Sequence, residues 1–305
     1  MYKYLILATV TILAACQPGS EAPAVEDPAA NVAAESSLST ETNTALTTVL
    51  DEQTDAAKAR YSFRNPQETI EFFAIEPGMT VLEGLPGGGW YTKILLPYLG
   101  AEGRVIGGSY SLEMYQLFPF ANEEFMARQQ NWKSQFVIDA EAWRGATGAS
   151  AAAFHFGSMP ENYANSVDIA FFPRVLHNPS NFQNQGVDDY LAQILGDVYT
   201  ALKPGGIFGI VQHEARPEMS DAFADGSHGY LKKAWLVEQV EAAGFEFVAE
   251  SAINSNPRDH PTEEDIVWRL PPTYYEIRED PELMAAADAI GESNRMTLKF
   301  RKPGR

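Results

Sequence analysis

The stretch Val81-Leu82-Glu83-Gly84-Leu85-Pro86-Gly87-Gly88-Gly89-Trp90-Tyr91-Thr92 decides the fold. It starts as a short apolar run, turns on Pro-Gly-Gly-Gly, and passes into helical spacing over residues 90–99. A strand that runs through a glycine turn into a helix is the first half of a β-α-β unit. Glycine in such a turn lets backbone approach a ligand closely, and the helix start offers unpaired N–H groups. Working outward, further short apolar runs bounded by turn residues predict strands over 80–85, 104–107, 151–156, 167–172, 207–212, 245–250 and 296–300. Helical spacing predicts helices over 46–60, 67–73, 188–202 and 231–243, the last ending at Gly244. Residues 111–150 lack a clean pattern and read as helix plus loop. Strands joined by helices of 10–15 residues imply a mostly parallel sheet covered on both faces. Ligands of such sheets bind beyond the carboxyl ends of the strands, at the switch point.

Two ligand readings compete for the glycine turn. A dinucleotide fingerprint wants G-x-G-x-x-G; Gly87 and Gly89 fit, but the third position is Thr92. An acid at the strand end, Glu83, suits an S-adenosylmethionine (SAM) site better. Here the chain resembles a family. Residues 81–105, VLEGLPGGGWYTKILLPYLGAEGRV, are similar to the first motif of class I SAM-dependent methyltransferases, above all a bacterial subgroup carrying PGGGWYT. Residues 168–178, DIAFFPRVLHN, resemble that subgroup's fourth-strand segment, and Leu202-Lys203-Pro204-Gly205-Gly206 its turn before the fifth strand. The resemblance spans about residues 60–303. It implies a Rossmann-like class I methyltransferase fold with a seven-stranded, mostly parallel sheet, and SAM as cofactor. It also implies cofactor contacts at Glu83, Gly87, Gly88, Gly89, Ser109, Arg174 and Asn178. Two positions depart from the family pattern. Leu85 stands where the motif's first glycine belongs, and the second strand ends Gly107-Gly108-Ser109-Tyr110 without the usual ribose-binding acid.

Each candidate has a second reading. Glu83 is either a ligand group or a cap on the following helix. His177, just past the fourth strand, is a general base or a loop histidine bonded to backbone, and His213, after the fifth, is a second candidate base. His228, Asp259 and His260 could join them as metal ligands, but no H-x-x-x-H or H-E-x-x-H spacing occurs, and no metal is expected.

The N-terminus reads as an address. Lys3 precedes an uncharged run over residues 4–15, too short to span a bilayer but right for a signal-peptide core. Leu13-Ala14-Ala15-Cys16 resembles the lipobox of bacterial lipoproteins, which implies cleavage before Cys16 and acylation of it. Gln17 in place of Asp implies, in a Gram-negative host, the outer membrane. Residues 17–45 hold five acids, no bases and no aromatics, the composition of a tether with a reach of about 30 Å. The expected organisation is therefore a signal peptide (1–15), a lipidated Cys16 with an acidic tether (16–45), and a methyltransferase-like domain (46–305), lipid-anchored in the cell envelope and facing the periplasm.

Composition narrows the classes. The 305 residues carry 22 Lys and Arg against 41 Asp and Glu, a net charge of −19, which argues against nucleic acid as partner. A single Cys excludes an internal disulfide framework and a zinc ribbon. The leading expectation is methyl transfer from SAM to a small molecule. The rivals are a binding protein that retains the fold without catalysis, motivated by Leu85, the missing acid and the scarcity of SAM outside the cytoplasm, and an NAD-dependent oxidoreductase.

Overall fold

Val81 and Leu82 are both fully buried on opposite faces of the first strand, as a sheet covered by helices on both sides requires. In the computed structural model, which describes residues 40–304, that strand is β1 (Thr80–Gly84). The others are β2 (Arg104–Ser109), β3 (Ser150–His155), β4 (Val167–Pro173), β5 (Leu202–Ala215), β6 (Leu231–Lys232), β7 (Glu246–Ser251) and β8 (Arg295–Arg301). The sheet runs β3-β2-β1-β4-β5-β8-β7, with the two-residue β6 paired to the end of β5. β8 is antiparallel to both neighbours and the rest is parallel. This is the expected Rossmann-like α/β sheet of seven long strands with one short addition. The chain lays down β1, β2 and β3 outward, then returns to the other side of β1 with β4. The switch point thus lies between β1 and β4.

One face packs on α5 (Thr92–Leu99) and α7 (Glu123–Trp143), around Ile94, Leu95, Phe136 and Phe171. The other packs on α9 (Tyr190–Ala201) and α10 (Lys233–Ala242), around Leu191, Ile194, Leu236 and Phe208. The apolar runs of β1, β2, β4 and β8 are therefore the sheet interior, while the edge strand β7 stays largely exposed.

Three local expectations are corrected. The helix expected over 46–60 is broken into α1 (Thr40–Asp51), α2 (Asp55–Lys58) and α3 (Tyr61–Arg64). Thr54 stops it, accepting from the Ala57 N–H as an N-cap. α1 also takes in residues 40–45 of the expected tether, since Leu46, Val49 and Leu50 are buried against the core and draw the helix back beyond them. Residues 111–150 contain α6 (Leu112–Gln116) and the 21-residue α7, whose fully buried residues are only Phe136 and Ala140, too few to show a period. The helix expected over 67–73 is α4 (Pro66–Phe72), which starts on proline, and α8 (His177–Asn184) and α11 (Pro281–Ile290) went unpredicted. The signal stretch, Cys16 and most of the tether lie outside the described residues.

Candidate functional site

Beyond the carboxyl ends of β1, β4 and β5 lies a cavity of about 300 Å³. Leu85 follows β1, Arg174 follows β4, His177 and Asn178 open α8, and His213 comes from β5. Arg64 enters from the end of α3, and Glu292 and Ser293 from the segment before β8. Val267, Trp268, Leu270, Pro271 and Pro272 make an apolar wall. Leu85 (φ +48°) and Arg174 (φ +65°) hold left-handed backbone that non-glycine residues adopt reluctantly. Such strain clusters at functional sites. Glycine would adopt the conformation at position 85 without strain; leucine does not.

Glu292 organises the charged side. Its carboxylate, 5% exposed, meets four arginines. Arg60 donates through Nε at 2.7 Å and through Nη2. Arg64 Nε lies 3.1 and 3.3 Å from its two oxygens, and Arg295 Nη1 donates at 3.1 Å. Arg174 Nη1 stands off at 3.6 Å. The four guanidinium groups hold Glu292 below the usual carboxylate range despite its burial. Burial, reinforced by neighbouring cations, pulls Arg64 down to about 10 and lowers Arg174 as well.

The two histidines are neutral at pH 7. Burial first, then the Arg174 charge, pulls His177 down to about 4, against a hydrogen bond from Gln212 that works the other way. His213 falls well below its ordinary value through burial and the cationic surroundings. The Gln212 amide fixes the His177 tautomer. Its Oε1 accepts from the Leu176 N–H at 3.2 Å, so its Nε2 is the donor to the Gly229 carbonyl (3.2 Å) and to His177 Nδ1 (3.4 Å). His177 therefore carries its proton on Nε2, and the nitrogen a general base would use is occupied. His213 Nδ1 shares a 2.5 Å hydrogen bond with the Ser293 hydroxyl, leaving Nε2 free of described partners.

The remaining sequence candidates stand apart from the cavity. Alternation along β1 puts Glu83 on the Val81 face, toward α5, and not out of the sheet end. There it accepts from the Thr92 hydroxyl at 2.6 Å, at the first residue of α5. Of its two readings, the helix-capping one describes its contacts. Ser109 is buried, its hydroxyl 2.8 Å from that of Tyr115. Gly87 and Gly88 are exposed, and a Cβ on either would meet no side chain, so the turn is open. Gly89 (φ +73°) is closed instead: a Cβ there would lie 2.4 Å from the Trp143 ring. Tyr110 follows β2 in the chain. Its phenol hydrogen-bonds the Val175 carbonyl, crossing from the end of β2 to the segment after β4, above Leu85. His228 stacks on Phe223, Asp259 holds Tyr230 and Arg269, and His260 is exposed, so the three do not converge. Among the described residues no group of three or more metal-ligating side chains is close enough to hold an ion.

The site residues that sequence reasoning passed over are Arg64, Tyr110, Gln212, Glu292 and Ser293. Arg64 lies in the gap between two predicted helices and carries no pattern. Gln212 closes the strand predicted over 207–212, beside His213, and that position was its available signal. Glu292-Ser293 follow a glycine before the last strand and carry no pattern.

No protein-family model matches this sequence, nor does any curated protein sequence. Solved structures resemble it in outline. A SAM-dependent methyltransferase from Aquifex aeolicus has 12% identity and a TM-score of 0.46, covering 84% of this chain and 98% of its own. The [4+2]-cyclase SpnF has 16% identity and a TM-score of 0.46, covering 79% and 81%. A SAM-dependent methyltransferase from Mesorhizobium loti has 17% identity and a TM-score of 0.40, covering 83% and 99%. At these identities and scores the likeness adds nothing to the strand order and says nothing of chemistry.

Proposed function

We propose that this chain is an exported, lipid-anchored protein that transfers a methyl group from SAM to a small acceptor held in the cavity at the switch point. The observation that carries the reading is the position of that cavity, beyond β1 and β4 with Leu85 in its lining, where sheets of this order bind their ligands. The residues fit SAM at one end only. Backbone at Gly87 and Gly88 is accessible, and Asn178 and Arg174 line the neighbouring space. The ribose end does not fit as it stands, because Ser109 is tied to Tyr115 and the Tyr110 phenol is bonded across the end of β1 to the Val175 carbonyl. SAM, when bound, supplies an electrophilic methyl group. The chain's own contribution is orientation within the cavity, with His213 Nε2 as the group free to accept an acceptor's proton.

The Tyr110 bridge favours a second reading, a binding protein that keeps the scaffold without using SAM. Calorimetric titration separates the two. Methyl transfer expects SAM to bind at submillimolar concentration and Tyr110→Ala to tighten it by about tenfold or more, the equivalent of one hydrogen bond and its displaced ring. No heat from millimolar SAM with either protein sinks methyl transfer and leaves the binding protein. Anchoring has its own check. Mass spectrometry of the mature chain should find acylated Cys16 at its N-terminus, and a chain still starting at Met1 would refute it.

A further inference from the structure

The cavity's charges do not balance. Four arginines converge on one carboxylate, and Glu292 is the one acid among the residues lining the space. Three of the four are well matched: Arg60, Arg64 and Arg295 hydrogen-bond Glu292 directly, and Arg295 also donates to the Ser293 and Phe63 carbonyls. Arg174 is the exception. Its guanidinium donates no hydrogen bond among the described residues, its nearest carboxylate oxygen is 3.6 Å away, and its side chain is 26% exposed, into the cavity. A guanidinium has five N–H donors, arranged for bidentate contact with an oxyanion. The His177 tautomer adds an Nε2–H donor on the same wall, and the Asn178 amide a further polar group.

The opposite wall is apolar, with Trp268 and Leu270 beside Pro271. About 300 Å³ is the space of roughly ten waters. It suits a single ring or short chain with one charged group.

We propose that the cavity is a receptor for a small organic acid, its carboxylate held by Arg174 with His177 as a second donor, and its apolar body lying against Trp268. This names the acceptor class of the proposed methyl transfer and rests on that reading only in taking the cavity as the ligand site. Carboxylate is favoured over phosphate because one free fork with a single neutral donor matches a planar monoanion.

The test is calorimetry of the full chain with sodium benzoate and, as neutral isostere, benzamide, at fixed ionic strength and without SAM. Benzoate is expected to bind at least tenfold more tightly than benzamide. Arg174→Met should abolish that preference, a loss of about ten- to hundredfold in benzoate affinity, and Arg174→Lys should retain part of it. Equal affinity for the two probes, no benzoate binding at 10 mM (a level about ten times looser than the upper bound of a submillimolar site), or an unchanged preference in Arg174→Met overturns the proposal. The wild-type comparison of two probes stands even if a variant fails to fold. Inorganic phosphate binding more tightly than benzoate would also overturn it. Because SAM is absent, failure here is distinct from failure of the SAM titration.

Discussion

Glu292→Gln is expected to lower the unfolding free energy by about 3–5 kcal/mol, the usual cost of removing one partner from a buried ionic cluster. The amide keeps the side chain's shape but takes away the negative charge that, among the described residues, the four converging guanidinium groups share. It also turns NH₂ donors toward N–H groups that already donate. Arg64 and Arg295, both almost fully buried, cannot turn to water without opening the contact between α3 and β8. Urea unfolding followed by circular dichroism measures the change. A loss under about 1 kcal/mol, the level of an exposed pair, would mean that the cluster is solvated in solution.

Glu83→Gln is expected to do the reverse, at one end of the pH scale only. Burial raises the Glu83 carboxyl to about 7, its hydrogen bonds with Thr92 offsetting part of the shift. In the unfolded chain it titrates near its ordinary value of 4.5. Below that value both states keep the proton and the group is neutral toward stability. As pH rises the unfolded chain ionises first, so stability is lost progressively until the folded carboxyl also ionises near pH 7, and the loss then levels off. A shift of this size corresponds to about 3 kcal/mol. Glutamine keeps an oxygen to accept from Thr92 and cannot ionise. The variant should therefore match the wild type at pH 4 and exceed it by about 2–3 kcal/mol at pH 8. Parallel stability curves across that range would refute a buried, raised carboxyl at this position.

What could be read from the sequence was whatever depends on neighbours along the chain. Val81 and Leu82 announce a strand buried on both faces, and the glycine turn announces the change of direction into α5. The rule that strand-following residues meet at the ligand end brought Arg174, His177, Asn178 and His213 together in one cavity. What could not be read was pairing at long range. Glu292 and Arg64 are 228 positions apart, and neither belongs to a periodic segment that would have marked it. The same limit applies to Glu83 and Ser109. Their positions suit a ligand, but Thr92 and Tyr115 reach them first, and which hydroxyl arrives at a strand end is a matter of packing. Helix α7 escaped for a third reason: a long helix that buries two side chains leaves almost no apolar period.

The placement of positive charge inside a chain of net charge −19 has a kinetic side. An organic acid arriving from bulk meets a repelling field, and senses the arginines only within about a Debye length, some 8 Å at physiological ionic strength. Steering by opposite charge, which usually makes binding fastest at low salt, is here inverted at long range. Added salt screens the outer repulsion before it reaches the sheltered guanidinium groups, so capture quickens with ionic strength while release changes little.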